Sequence, residues 1–213
     1  MENIFILIAD LAGTVIFAVT GALSGVRQKL DLLGVVVFGC TVGVGGGVLR
    51  DTVIGAAPVA ALQNELYLIL CIITGLIVFF ISPLIKDHLR VIKICDAFGL
   101  GVFTALGAAK GTQFGLGPTG VVLCGVFSAV GGGLLRDVLS RKIPEILVND
   151  FYATASLIGG IGYLLLPKAH LSEFTVFVIV AVLVTLIRMA AMTFSFRLPR
   201  ASDDSSQKSD PQN

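Results

Sequence analysis

Six charged residues sit inside apolar stretches where water is scarce: Asp10, Arg50, Asp51, Asp96, Arg136 and Asp137. An ionisable side chain at membrane depth must face a partner, a cavity or water rather than lipid, so these positions are the first candidates for chemistry. Each Arg–Asp pair follows a run of three glycines, in Gly45-Gly46-Gly47-Val48-Leu49-Arg50-Asp51 and again in Gly131-Gly132-Gly133-Leu134-Leu135-Arg136-Asp137. Three successive glycines weaken a helix by about 1 kcal/mol each relative to alanine. Interrupted backbone at membrane depth is tolerated where protein or water satisfies it, so the two runs point to a cavity or pore. Close helix packing through small residues is the competing reading, and the charges three positions on favour the pore.

Neighbours in a helix point about 100° apart, so the spacing predicts that Arg50 and Arg136 pair with acids on other helices. Asp10 and Asp96, one helix earlier, are the evident partners, together with the motif aspartates Asp51 and Asp137. A structural ion-pair network and a pore lining are both open at this point, and they are compatible. Nothing else in the chain has catalytic form. His88 and His170 fall in loops without a neighbouring nucleophile, and Cys40, Cys71, Cys95 and Cys124 stand singly in apolar segments, as buried free thiols do. No triad, metal-ligand cluster or phosphate loop is visible, so the sequence argues against an enzyme and implies no cofactor.

The elements that carry these residues are membrane spans. Hydrophobic residues make up 55% of the chain and charged residues 14%, with a mean hydropathy of +0.95, too apolar for a soluble domain. The net charge of +1 gives no footprint for nucleic acid. Crossing a hydrocarbon core takes about 20 helical residues. The chain offers spans at 3–25, 33–57, 62–85, 89–110, 119–143, 151–167 and 172–196. The N-terminus lacks a basic segment before its apolar run, so it reads as a retained first span rather than a cleaved signal. Residues 201–213, without one large apolar side chain, read as a disordered cytoplasmic tail.

A repeat organises the spans. Residues 10–58 slide onto 96–144 at a constant offset of 86 (96 minus 10), and 19 of the 49 positions are identical. The fold class predicted is an all-α membrane protein in a single transmembrane domain over residues 1–200. It comprises two three-helix repeats, about 3–85 and about 89–167, plus a seventh helix at about 172–196, with the second and fifth helices broken at the triple glycines. Three spans per repeat is an odd number, so the second copy enters the membrane inverted. Lys and Arg in the loops number ten on one side and two, Lys110 and Lys168, on the other. The rich side is then cytoplasmic, which places the N-terminus outside and the C-terminus inside. Arg188, near the inner end of the last span, is expected to snorkel to the interface. Gly13, Phe17, Gly21 and Gly25, mirrored by Gly99, Phe103, Gly107 and Gly111, form four-residue stripes suited to close helix contact within or between protomers.

The doubled Gly-Gly-Gly-x-Leu-Arg-Asp signature within a seven-helix inverted repeat resembles the prokaryotic trimeric intracellular cation (TRIC) channels, sequences also grouped under a glycine transporter domain name. The resemblance implies a prokaryotic plasma-membrane homotrimer with one hydrophilic pore per protomer, conducting K+ and Na+ among membrane lipids. It carries the helix kinks to Gly45, Gly46, Gly47, Gly131, Gly132 and Gly133, and the polar pore positions to Arg50, Asp51, Arg136 and Asp137. Lys110, whose repeat mate is Ser24, is the candidate for the basic pore residue of animal members. The rival reading is a secondary transporter of glycine or another small solute, because inverted repeats serve alternating access as readily as conduction.

Overall fold

Helices that enclose buried charge must first be started and stopped, and the two repeats do this in matched ways. In the computed structural model, which describes residues 2–148, 151–166 and 171–194, α1 (Glu2–Arg27) is followed by α2 (Leu32–Val53), the short α3 (Ala60–Gln63) and α4 (Leu66–Ile81). Then come α5 (His88–Gln113), α6 (Pro118–Leu139), the short α7 (Glu145–Val148), α8 (Ala153–Leu165) and α9 (Glu173–Phe194). The described residues hold no strand. Asp31 caps α2 by accepting from the Gly34 N–H at 2.7 Å, and Pro118 opens α6 at a position where its missing N–H costs nothing.

The first helix of each repeat ends in the same left-handed turn. Lys29 and Gly115, mates at offset 86, have φ of 59° and 69°. One residue on, Leu30 N–H reaches the Gly25 carbonyl at 3.2 Å and Leu116 N–H reaches that of Gly111 at 3.0 Å, a Schellman closure in both. Beyond α2 and α6 the match repeats: Gly55 and Arg141 have positive φ, and Ala56 and Lys142 donate to the carbonyls of Asp51 and Asp137.

Helices α1, α2, α5 and α6 pack together at the centre, α4 covers α1 and α2, and α8 and α9 cover α5. The outward faces of α4 and α9 carry exposed Ile69, Ile73, Ile77, Phe80, Val182 and Leu186, apolar surface that suits lipid. Among the described residues, six helices are long and apolar enough to cross a membrane. The predicted sixth span is shorter: α8 has 13 residues, about 20 Å of helix.

The second and fifth spans are not broken. α2 and α6 continue as α-helices through Gly45–Gly47 and Gly131–Gly133, and the glycines serve contact instead. A Cβ on Gly46 would run into the Ser128 carbonyl of α6, and one on Gly132 would stand 2.7 Å from the Val42 carbonyl of α2. The two helices cross backbone to backbone here, a proximity only glycine permits. The four-residue stripes are likewise filled from within the chain: Gly21 lies on Val42 and Phe38, Gly107 on Cys124, Gly125 and Ser128, and Gly99 on Phe17.

Two further readings fall outside or are revised. The tail 201–213, Lys168 and His170 lie outside the described residues. His88 opens α5 rather than standing in a loop, its Nε2 2.9 Å from the Ser82 carbonyl.

Candidate functional site

The C-terminal end of α2 carries the first charged cluster. Arg50, 2% exposed, places Nε 2.8 Å from Asp51 Oδ1 and Nη2 3.7 Å from Asp10 Oδ2 on α1. Tyr67 of α4 donates its hydroxyl to Asp10 at 3.0 Å. Asp51 also accepts from Lys110 Nζ of α5 at 2.7 Å and from the Ala60 N–H of α3 at 3.0 Å. Two cations therefore meet two carboxylates in one network. Lys110 comes from the second repeat; its mate in the first, Ser24, donates its hydroxyl to the Thr20 carbonyl.

The equivalent end of α6 carries the second cluster. Arg136 donates from Nη1 to Asp96 Oδ1 of α5 at 2.6 Å and from Nε to Asp137 Oδ1 at 3.0 Å. Tyr152 donates to Asp96 Oδ1 at 3.3 Å, and the Glu145 N–H of α7 donates to Asp137 Oδ2 at 2.8 Å. Arg188 of α9 completes the group, with Nη2 2.8 Å from Glu145 Oε2 and its guanidinium carbon 4.7 Å from the centre of the Tyr152 ring. It does not snorkel: it is 4% exposed, because a carboxylate and an aromatic face on neighbouring elements offer better partners than a headgroup layer.

Spacing along a helix misjudged one contact in each cluster. Arg50 and Arg136 do bond their own neighbours Asp51 and Asp137, because an arginine side chain is long enough to fold back across the 100° between adjacent positions. The same repeat hid three participants. Beyond Pro58 and Pro144 the offset slips by one, to 85, so that Ala60 pairs with Glu145 (145 minus 60) and Tyr67 with Tyr152 (152 minus 67). Carrying the alignment across that one-residue gap matches Leu62, Asn64 and Tyr67 with Leu147, Asn149 and Tyr152, a signal strong enough to have found both tyrosines. Arg188 has no such signal, since α9 has no repeat mate.

Each cluster opens on its own cavity. The larger, of about 500 Å³, is lined by Asp10, Arg50, Gln63, Tyr67, Lys110 and Gln113 among others. The smaller, of about 70 Å³, is lined by Ser24, Arg27, Lys93, Arg136, Asp137 and Lys142 among others. Asp10 and Ser24 lie 14 residues apart on α1 (24 minus 10), about 21 Å of helix, so the cavities occupy opposite ends of the central bundle. Between them Phe17 and Phe103 stack with centroids 5.2 Å apart and planes at 5°, beside the glycine crossing of α2 and α6. The middle is closed. Of the sequence candidates, Asp10, Arg50, Asp51 and Lys110 come together at one end, and Asp96, Arg136 and Asp137 at the other. The six glycines lie between. No group of three or more His, Cys, Asp or Glu side chains suited to a metal ion occurs among the described residues.

Apolar helices enclosing two matched charged clusters, each beside a cavity at its own end of the bundle, define a multi-pass membrane protein. The family model described as "Glycine transporter" matches residues 7–83 and 93–168, one stretch in each repeat. A UPF0126 membrane protein of Deinococcus radiodurans is 38% identical over 193 residues, covering 89% of each chain. The UPF0126 inner membrane protein YadS of Escherichia coli is 35% identical over 195 residues, covering 89% of this chain and 93% of that one. The chain belongs to this UPF0126 membrane protein family. Among solved structures, the TRIC trimeric intracellular cation channel orthologue from Rhodobacter sphaeroides superposes with a TM-score of 0.86 at 32% identity, covering 90% of this chain and 99% of that one. A prokaryotic TRIC channel in 0.5 M KCl superposes at 0.84 and 30% identity, covering 92% of this chain and all of that one.

Proposed function

We propose that this protein is a monovalent cation channel, conducting K+ and Na+ through one pore in each protomer of a homotrimer in the bacterial inner membrane. The observation that carries the proposal is the pair of charged cavities at opposite ends of one central bundle. The choice of cations rests on the likeness to solved TRIC cation channels. Residues 1–200 act as one transmembrane unit, with the N-terminus outside and the basic smaller cavity facing the cytoplasm, a reading that the excess of Lys and Arg in the loops on that side supports. An ion entering the larger cavity meets Asp10, whose carboxylate is only loosely tied to Arg50 at 3.7 Å, and then the Lys110–Asp51 pair. Conduction requires the Phe17–Phe103 stack to part.

One observation favours the second reading, a transporter of glycine or another small solute. Two cavities separated by a closed middle are also what alternating access needs, and the family model bears that description. Potassium efflux and glycine uptake measured on the same proteoliposomes separate the two. Rapid, non-saturating K+ flux supports the channel, and saturable glycine uptake without it supports the transporter.

A further inference from the structure

Beside the larger charged cavity lies a third one, apolar and of about 220 Å³. It is lined by Phe5, Ile6, Ala109, Tyr163, Glu173, Phe174 and Phe177, from α1, α5, α8 and α9. Ile6 and Ala109 line both cavities, so the two share a wall. Three of its four aromatic rings pack together: Phe5 stands edge-on to Phe174, with centroids 4.6 Å apart, and to Phe177 at 5.1 Å. Phe174 is 55% exposed. Glu173 is the one charged residue of the lining, and it opens α9, where a span meets the headgroup layer.

Those features select an occupant by chemistry. An apolar cleft on the lipid-facing surface accepts acyl carbons. A carboxylate at the level of the headgroups attracts positive charge and repels phosphatidylglycerol-type anionic heads, and aromatic rings attract an ammonium further. The geometry points to a binding site for a phospholipid with a primary ammonium headgroup, its amine at Glu173 and its first chain carbons among Phe5, Phe177 and Ala109. The site adjoins the larger cavity across Ile6 and Ala109 without using its charged groups, and it does not depend on which solute the protein moves.

Native mass spectrometry of the purified full chain, delipidated and then incubated with equal amounts of phosphatidylethanolamine and phosphatidylglycerol, reads the selectivity directly. The intact protein retains phosphatidylethanolamine about three- to tenfold over phosphatidylglycerol, the range of one ammonium–carboxylate contact with aromatic support. Glu173→Gln brings the ratio to near one. Ala109→Phe fills the cleft and lowers phosphatidylethanolamine retention without changing that of phosphatidylglycerol. If that variant does not fold, Phe174→Leu, at a half-exposed position, reduces the ratio instead. Equal retention of the two lipids by the unaltered protein overturns the assignment, and so does a preference that survives Glu173→Gln. Absence of phosphatidylethanolamine from the intact oligomer also overturns it, since the cleft would then be covered by a second copy.

Discussion

Asp10 and Asp96 are repeat mates, yet their replacement by asparagine should differ several-fold in cost. Asp96 is 2% exposed and holds Arg136 Nη1 at 2.6 Å, so Asp96→Asn leaves a buried guanidinium with Asp137 as its remaining carboxylate. Removing one partner of a buried pair costs about 3–5 kcal/mol, and the surviving Asp137 contact puts this case near about 3. The Asp10 side chain is 11% exposed and 3.7 Å from Arg50, and it faces the cavity of about 500 Å³. Water can replace it there, so Asp10→Asn should cost about 1 kcal/mol or less. At about 2–4 °C per kcal/mol for a chain of this size, Asp96→Asn lowers Tm by roughly 6–12 °C and Asp10→Asn by at most about 4 °C. Thermal melting of the purified proteins in one detergent, followed by loss of helical circular dichroism, measures both. Adding Arg136→Met to Asp96→Asn removes the stranded guanidinium and leaves Asp137 to the Glu145 N–H and the smaller cavity, so part of the loss should be recovered. Equal Tm shifts for the two aspartates, or full additivity in the double variant, would refute the reasoning.

Other positions give sharper yes-or-no outcomes. Gly46→Ala should cost about 1–3 kcal/mol by driving a methyl into the Ser128 carbonyl. Gly47→Ala, whose added carbon would find only Arg50 Nη2 at 3.7 Å, should be neutral or stabilising; chemical denaturation of the pair checks both. Asp51→Asn and Asp137→Asn should lower unitary cation current in planar bilayers while size-exclusion chromatography still shows the oligomer of the unaltered protein; unchanged current and unchanged melting would show that these residues contribute to neither. Cysteines placed at Lys29 and Gln113 in a cysteine-free background should react with an impermeant maleimide from the cytoplasm and from outside, respectively; the reverse pattern would invert the proposed orientation.

Much of this was readable because the repeat is written in residue identities. The Asp10, Arg50 and Asp51 cluster and its mate at Asp96, Arg136 and Asp137 align at one offset, and their burial follows from the span pattern. What stayed hidden has physical causes. Consecutive glycines have the same sequence signature whether they interrupt a helix or let two helices touch, and only the positions of Ser128 and Val42 across the crossing decide between them. Tyr67, Glu145 and Tyr152 were lost to a one-residue slip after a proline. Lys110 and Arg188 break the symmetry: the repeat offers no equivalent for either, so Lys110 was reached only through the family resemblance and the place of Arg188 in the second cluster was not reached at all.

In the proposed function, cations cross the bundle from the cavity at Asp10 to the cavity at Ser24. Reversal potential of unitary currents in planar bilayers under asymmetric KCl tests it most directly. Unitary openings should reverse near the K+ equilibrium potential, and Lys110→Gln should raise the cation current by removing a positive charge from the larger cavity. Reversal near the Cl− equilibrium potential, or saturable glycine uptake with no unitary openings at all, would contradict it.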